Sequence, residues 1–117
     1  MAAMPCSDPR EVTRLADAFD LTTTAVLQWE LELIWMALDL GLITVTRHCD
    51  QAALDEAIPI DEMCRVIRRG VARSKDVGTF SGRHVGINFE GKISGGRRIR
   101  LKVSWWGGYV LVTVHAV

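Results

Sequence analysis

Long apolar stretches are missing from this sequence. The longest, residues 25–40, is interrupted by Gln28, Glu30, Glu32 and Asp39, whereas a membrane-spanning helix needs about 20 mostly apolar residues. The first ten residues also lack the apolar segment of a secretory signal. These absences predict a protein that neither crosses a membrane nor is secreted, and we expect it in the cytoplasm.

Cysteine is scarce, and its spacing is not that of a disulfide framework or a zinc site. The three cysteines, Cys6, Cys49 and Cys64, form no CxxC motif, and no His, Asp and Glu cluster has the spacing of metal ligands. Loops that cradle phosphate open a helix, but Gly95-Gly96 and Gly107-Gly108 separate predicted strands. We therefore expect reduced cysteines, no metal and no cofactor.

Acidic and basic residues are equal in number over the whole chain but are unevenly distributed along it. The net charge is +0, but residues 1–64 contain 12 acidic and 3 basic residues, and residues 65–117 contain 2 and 11. The two halves therefore carry −9 and +9. A basic region concentrates a polyanion whatever the total charge. The asymmetry predicts a basic working surface or, alternatively, two halves that neutralise each other across an internal interface.

Two helices are predicted in the first part of the chain. Asp8 and Pro9 are typical of a helix start, and apolar residues at helical spacing continue to Phe19. A second helix is predicted from residue 24 to Leu40, with Gly41 as its C-terminal cap. Its apolar residues cover nearly the whole circumference, which predicts burial within the domain or in a subunit interface. In so small a protein we favour a homodimer through residues 24–40.

Two shorter helices and a strand are predicted next. An extended link, 42–45, leads to Thr46 as the N-cap of a helix. Ile58-Pro59 ends that helix, because proline disfavours helical geometry at the preceding residue. A further helix is predicted from Pro59 to Arg69, with Gly70 as its cap. Residues 71–80 are predicted to form the first strand.

The last part of the chain alternates between polar and apolar residues, as antiparallel strands do. Gly107-Gly108 predicts a two-residue turn with positive φ at both glycines, which would pair Trp106 with Tyr109. The further predicted pairs are Ser104 with Leu111, Lys102 with Thr113 and Arg100 with His115. The two faces would hold Arg98, Arg100, Lys102, Ser104, Thr113 and His115 on the polar side, and Ile99, Leu101, Val103, Trp105, Val110, Val112 and Val114 on the apolar side.

The loop through residues 94–96 decides how the run from His84 to Glu90 pairs with the next strand. A shift by one residue would turn the polar side chains into the core. A loop of three or five residues with a bulge keeps them outside, with Glu90 opposite Arg100 and Asn88 opposite Lys102. The predicted fold class is α+β, with N-terminal helices packed on one face of a roughly four-stranded antiparallel sheet.

The predicted polar face combines the side chains that phosphodiester cleavage requires. Histidine titrates near neutral pH and serves as acid or base, and arginine binds phosphate through paired N–H donors. In the predicted register Glu90 and His115 flank Arg100, so one can be the base and the other the acid while Arg100 and Lys102 hold phosphate. The alternative is an ordinary solvated face, because antiparallel sheets commonly leave one face wet.

Short motifs mark the chain from about Ile43 onward. They are Thr46-Arg47-His48 at the start of a helix, the Ile58-Pro59 break, Arg68-Arg69-Gly70 at the end of the next helix, and Thr113-Val114-His115 in the closing strand. In this order they resemble a small uncharacterised bacterial domain family, similar to RelE-type toxins and the barnase–EndoU–colicin–RelE group of ribonucleases. The chain is then interpreted as one domain, 1–117, with an acidic helical extension, 1–41, and a RelE-like core, 42–117.

The resemblance implies a metal-independent ribonuclease of bacterial toxin type, paired with an antitoxin or immunity protein. Such enzymes cleave RNA when the 2′-hydroxyl attacks the adjacent phosphate, which needs a base, a cation and an acid. By resemblance, the family's helix histidine corresponds to His48, and its closing-strand residues correspond to Thr113 and His115. Its middle-strand cation corresponds to Arg98 or Arg100.

Combining the chemistry with the resemblance gives an order of candidate residues. We rank His115, Arg100 and His48 as catalytic ahead of Lys102, Glu90 and Thr113. The candidate RNA contacts are Arg98, Lys102, His84, Trp106 and Tyr109. The two aromatic residues either stack a base or, as we favour, stabilise the hairpin. Two other functions fit the sequence: a phage or bacterial inhibitor that docks a partner through its acidic half, and a nucleic-acid adaptor without catalysis.

Overall fold

The computed structural model describes residues 15–78 and 85–117, which form an α+β fold, as predicted. The helices are α1 (Gln28–Asp39), α2 (Arg47–Asp55) and α3 (Ile60–Arg69). The strands are β1 (Thr44–Val45), β2 (Val71–Asp76), β3 (Gly86–Lys92), β4 (Arg98–Trp105) and β5 (Tyr109–Ala116). Residues 15–18 are helical as well. The start of the first predicted helix, the end of the predicted strand 71–80, and His84 lie outside the described residues.

The strands form one mixed sheet in the order β1-β5-β4-β3-β2. Strand β1 pairs in parallel with β5, with Thr44 opposite Val110 and Val45 opposite Leu111. The other neighbours are antiparallel. The prediction of roughly four antiparallel strands was wrong in this respect, because the segment interpreted as an extended link supplies a parallel edge strand. Two residues are too few to show the alternation by which a strand is recognised.

Helix α1 is shorter than predicted at its start and ends as predicted. The Glu30 carboxylate accepts hydrogen bonds from the amides of Leu27 at 2.7 Å and Asp20 at 2.8 Å, so it caps the helix from inside its first turn. At the other end, Gly41 has φ 68, and the amide of Leu42 donates to the carbonyl of Ala37 at 2.8 Å. This is the Schellman ending that a glycine cap predicts.

The ends of α2 and α3 follow the predicted signals. The Thr46 hydroxyl accepts a hydrogen bond from the Cys49 amide at 3.1 Å, which makes Thr46 the N-cap of α2. Pro59 stands directly before α3. Gly70 follows α3 in an extended conformation, with φ −77. A Cβ there would lie 2.5 Å from the Val66 carbonyl oxygen and 2.6 Å from that of Glu90, so the close approach of α3 to β3 requires glycine.

The β3–β4 hairpin has the register that the alternation predicts. Glu90 lies opposite Arg100 and Asn88 opposite Lys102. The loop spans residues 93–97, closed by a hydrogen bond of 2.8 Å from the Ile93 amide to the Arg97 carbonyl. This is the five-residue form of the predicted loop.

The β4–β5 hairpin agrees with the prediction over only part of its length. Arg100 pairs with His115 and Lys102 with Thr113, but the register then shifts past Val112, so that Trp105, not Trp106, lies opposite Tyr109. The turn contains three residues, 106–108, and its positive φ is at Gly107 alone (φ 77). The register shift is a bulge, which adds one residue to β5 and increases its twist. The turn compensates for that residue because it has three residues, with a left-handed glycine, in place of the predicted two.

This bulge changes which residues of β5 enter the core. Leu111 belongs to the hydrophobic core, whereas Val110 and Val112 lie outside the core cluster despite being buried. Ser104 is also buried and donates a hydrogen bond to the Val85 carbonyl. The core joins side chains of α1, α2 and α3 to alternate strand residues, among them Ile34, Ala37, Cys49, Ala53, Met63, Val66, Ile67, Ile87, Phe89, Ile99, Leu101, Val103 and Val114.

A buried ion pair lies within this interior. The ammonium of Lys75 on β2 is 2.8 Å from Glu30 Oε2, and both side chains are 0% exposed. Lys75 also donates to the Asp20 carbonyl at 2.8 Å. The pair therefore connects β2 with α1 and with the segment before it. Across the described residues, no helix has the length and apolar character needed to cross a membrane.

Candidate functional site

Polar residues of β2 to β5 form a continuous surface, which we call the polar face. It arises because Arg98, Arg100 and Lys102 alternate with the buried Ile99, Leu101 and Val103 along β4. The residues of the polar face are Ser74, Asp76, Asn88, Glu90, Arg98, Arg100, Lys102, Thr113 and His115.

Glu90, Arg100 and His115 lie side by side across three strands, and we call them the central row. Glu90 on β3 is opposite Arg100 on β4, which is opposite His115 on β5. Arg100 donates from Nε at 3.1 Å and from a terminal nitrogen at 2.8 Å, both to Glu90 Oε2. Paired positions of neighbouring strands place their side chains within contact reach. The row therefore presents a carboxylate, a guanidinium and an imidazole in sequence.

Glu90 is the least exposed member of the central row. Its side chain is 8% exposed, against 42% for Arg100. Arg98 also contacts Glu90, with a terminal nitrogen 3.4 Å from Oε1. The hydrogen bond from Arg100 lowers the pKa of Glu90 below its ordinary value, and burial opposes that shift without reversing it. The carboxylate is therefore ionised at neutral pH.

His115 and Thr113 lie on β5, and both are exposed. Within the described ranges, 15–78 and 85–117, neither side chain makes a hydrogen bond or an ion pair with another residue. His115 adjoins the Arg100 position, and Thr113 adjoins the Lys102 position. The imidazole is therefore available to a ligand that lies over the central row.

A second row lies beside the central row and contains the other cation of the face. Lys102 pairs with Asp76, with Nζ 2.9 Å from Oδ2. The Asn88 amide donates to the same oxygen at 2.9 Å and to the Ser74 hydroxyl at 3.0 Å. Lys102 is therefore held by a carboxylate, and its side chain is only 14% exposed. Its predicted part in holding phosphate would require it to leave Asp76.

The predicted helix histidine is not part of the central row. His48 is exposed near the start of α2, while its neighbour Cys49 belongs to the hydrophobic core. Burial raises the pKa of the Cys49 thiol to about 11, which makes it a poor nucleophile. His48 makes no hydrogen bond to Glu90, Arg100 or His115 in the part of the chain that the structure describes. His84 lies outside that part.

The two aromatic candidates have different surroundings. Trp106 is in the hairpin turn and 58% exposed, whereas Tyr109 is 6% exposed. The Tyr109 hydroxyl donates to the Ala18 carbonyl at 3.2 Å, and its ring meets that of Trp105 edge to face at 4.9 Å. Burial raises the pKa of Tyr109 to about 12. This environment favours the structural role that the sequence also suggested for Tyr109, with Trp105 as its partner.

Sequence reasoning missed three residues that shape the polar face. Ser74 and Asp76 are two positions apart in β2, so they lie on the same side of the sheet. Strand alternation could have identified them, but the sequence analysis did not assign the residues of the predicted strand 71–80 to faces. Arg73 lies at a register shift of β2 and lowers the pKa of Glu90 by its charge. No local signal marks a residue at such an irregularity.

Comparison with known proteins adds no assignment to this geometry. A scan against protein-family models finds no match, and searches of the curated proteins and of the solved structures find none. Among the described residues, no three His, Cys, Asp or Glu side chains are grouped so that they could hold a metal ion.

Proposed function

We propose that this protein is a metal-independent endoribonuclease whose active site is the central row. The observation that carries the proposal is the register that places Glu90 and His115 on either side of Arg100. Neighbouring strands are about 4.8 Å apart, so the two flanking residues have Cα atoms about 10 Å apart. That span accommodates a phosphodiester over Arg100 with one proton-transfer group on each side.

The proposed reaction is transfer of the phosphoryl group to the neighbouring 2′-oxygen. The 2′-oxygen attacks phosphorus while Glu90 accepts its proton, and the bond from phosphorus to the 5′-oxygen breaks while His115, as imidazolium, donates a proton to that oxygen. The products are a 2′,3′-cyclic phosphate and a free 5′-hydroxyl. Arg100 and Arg98 stabilise the charge that develops on the phosphoryl oxygens.

Access to the site depends on what covers the sheet. We infer that the helices lie against the apolar face, because residues of α1, α2 and α3 share one core with Ile99, Leu101 and Val103. The polar face is then left for RNA. Arg98 and Arg100 support this inference, since their side chains are 50% and 42% exposed.

The two histidines that the resemblance suggested have different roles in the proposed site. His115 belongs to the central row, whereas His48 is on α2 beside a core residue. We therefore propose His115 as the catalytic acid and assign no catalytic role to His48. Thr113 lies next to Lys102, one row away, and we propose that it contacts the neighbouring nucleotide.

The test is cleavage of a labelled RNA oligonucleotide in the presence of excess EDTA. The wild type should release a fragment ending in a 2′,3′-cyclic phosphate and should leave the all-deoxy oligonucleotide intact. Loss of a general acid or base typically slows a reaction about 100-fold or more, so His115→Ala and Glu90→Gln should each show that loss. His48→Ala is the matched control and should retain wild-type activity.

Two results would overturn this assignment. Cleavage that survives His115→Ala but disappears in His48→Ala would move the site away from the central row. A folded wild-type protein that cleaves none of a set of RNAs covering all dinucleotide steps would exclude the ribonuclease function.

The ion pairs of the polar face favour a second candidate, a non-catalytic interaction protein. Arg98 and Arg100 already contact Glu90, and Lys102 contacts Asp76, so a phosphate must compete with carboxylates for every one of these cations. If this competition prevents RNA binding, the acidic part of the chain becomes the working surface. A titration of labelled RNA at low salt, without detectable binding, would support this candidate.

A further inference from the structure

An apolar groove lies between α1 and the β4–β5 hairpin. It has a volume of about 300 Å³, and Leu33, Met36, Leu40, Leu42 and Trp105 are among its lining residues. Met36 is 55% exposed, Leu40 64% and Leu42 60%. Contiguous exposed apolar surface on a small protein marks a place where another molecule binds.

The exposed apolar residues of α1 indicate that the molecule bound in the groove is a helix. Trp29, Leu33, Met36 and Leu40 recur at intervals of three or four residues and are all exposed, so they form a stripe along one side of the helix. A stripe of this kind, parallel to a helix axis, is complementary to the apolar side of a second helix.

The charge around the groove distinguishes between possible occupants. Asp17 lines the groove, Glu32 lies beside the stripe, and both are exposed; Asp39 is nearby and pairs with Arg68. A second copy of the chain would bring the same carboxylates to the interface, where like charges repel. Basic side chains would instead complement this rim.

We propose that this groove binds an amphipathic helix of a different protein, with an apolar side that fills the groove and basic residues that face Asp17 and Glu32. This interaction surface is independent of the proposed ribonuclease activity. It also replaces the homodimer through residues 24–40 that the sequence favoured, because the rim charges oppose self-association.

The test uses two designed helical peptides of about 18 residues, a length at which an isolated helix begins to be stable. Both have the same leucine-rich side, and their flanks carry either lysine or glutamate. Binding of each labelled peptide is measured by fluorescence anisotropy at physiological salt. We expect the lysine peptide to bind with a micromolar Kd and the glutamate peptide to bind at least about tenfold more weakly.

Matched variants separate the groove from general attraction to an acidic protein. The double variant Met36→Asn/Leu40→Asn should weaken the lysine peptide about tenfold or more, because it removes apolar contact area without changing charge. Leu54→Asn is the control, since Leu54 is 69% exposed on α2 and is not among the lining residues. Asp17→Asn/Glu32→Gln should reduce the preference for the lysine peptide. Circular dichroism of each variant confirms folding.

Several results would overturn the proposal. Equal binding of both peptides would show that the rim does not select charge, and equal weakening by Leu54→Asn would place the binding elsewhere. Failure of the wild type to bind either peptide would exclude a helix as occupant. Sedimentation velocity of the chain alone completes the test: a dimer that Met36→Asn/Leu40→Asn dissociates would make a second copy the occupant.

Discussion

Two carboxylate–cation pairs, one in the interior and one on the polar face, differ in their exposure to water. Glu30 and Lys75 are 2.8 Å apart in the interior, and Arg100 and Glu90 are 2.8 Å apart on the polar face. The interior side chains are both 0% exposed, whereas Arg100 is 42% exposed. The two pairs therefore have the same distance between charged atoms but differ in their exposure to water. A cation can exchange its carboxylate partner for a ligand only where the pair is exposed.

The interior pair is held by further hydrogen bonds. Glu30 accepts from the amides of Asp20 and Leu27 as well as from Lys75, and Lys75 also donates to the Asp20 carbonyl. Such bonds are needed because two charges removed from water lose hydration that their attraction alone does not recover. The pair on the polar face keeps donors of Arg98 and Arg100 at the surface, where a phosphate can reach them.

The largest effect in this comparison is expected from Glu30→Ala. It leaves Lys75 buried without its counter-ion and also uncaps α1, so the free energy of unfolding should fall by about 3–5 kcal/mol. Urea denaturation measures the change. Glu32→Ala on the same helix is the control, because Glu32 is exposed and surface substitutions usually stay within about 0.5 kcal/mol.

A double replacement tests whether the unpaired charge causes that loss. Glu30→Met/Lys75→Met removes both charges and should be more stable than Glu30→Ala, since apolar side chains of similar size often replace a buried pair without loss. If Glu30→Ala lowers the free energy of unfolding no more than Glu32→Ala does, the interior pair does not stabilise the connection between β2 and α1.

A smaller effect is expected at Thr46, in the motif that first suggested a function. Loss of an N-cap typically costs about 1 kcal/mol, so Thr46→Ala should lower the free energy of unfolding by that amount. It should leave RNA cleavage per folded molecule unchanged, because the Thr46 hydroxyl contacts Cys49 and Val112 and no residue of the central row. Thr44→Ala, at an exposed position of β1, is the control. A selective loss of cleavage in Thr46→Ala would contradict the structural role.

The smallest effect concerns the pH dependence of the polar-face pair. The pKa of Glu90 is lowered by Arg100 in the folded protein, so the pair stabilises the fold above the ordinary glutamate pKa of about 4.3. That contribution disappears as the pH falls from about 5 through the lowered value. Glu90→Gln should therefore lose less stability between pH 7 and pH 3 than the wild type does.

Melting temperatures at the two pH values measure this difference. Glu56→Gln is the control, because Glu56 is exposed and makes no ion pair among the described residues. The same acid-induced loss in wild type and Glu90→Gln would show that Arg100 does not stabilise the ionised carboxylate.

Much of the central row could be predicted from the sequence. The alternation of β3 and β4 places Glu90, Asn88, Arg100 and Lys102 on one side, and a slip by one residue would bury all of them. The predicted pairs between these strands, and that of Arg100 with His115, match the structure. The prediction failed beyond Lys102, because a bulge at Val112 has no signature in a run of apolar residues.

The position of His48 relative to this row could not be predicted. The motif Thr46-Arg47-His48 correctly indicates a helix start, because a cap is a contact over three residues. Whether a side chain at that start meets β5 or solvent depends on how the helix packs. The resemblance included His48 in the site; in the structure His48 is exposed next to the core residue Cys49, and among the described residues it forms no hydrogen bond with Glu90 or Arg100.

By itself, the sequence determined the α+β class, the helix ends at Gly41, Thr46 and Pro59, and the register of the central row. These features depend on contacts between near neighbours or on the alternation of strands, and both are written locally in the chain. Only the tertiary structure decided that β1 joins β5, that Glu30 meets Lys75, and that Lys102 meets Asp76. Each of these contacts joins residues 26 or more positions apart. Burial and packing select such partners from many charged or apolar residues that are equivalent in the sequence.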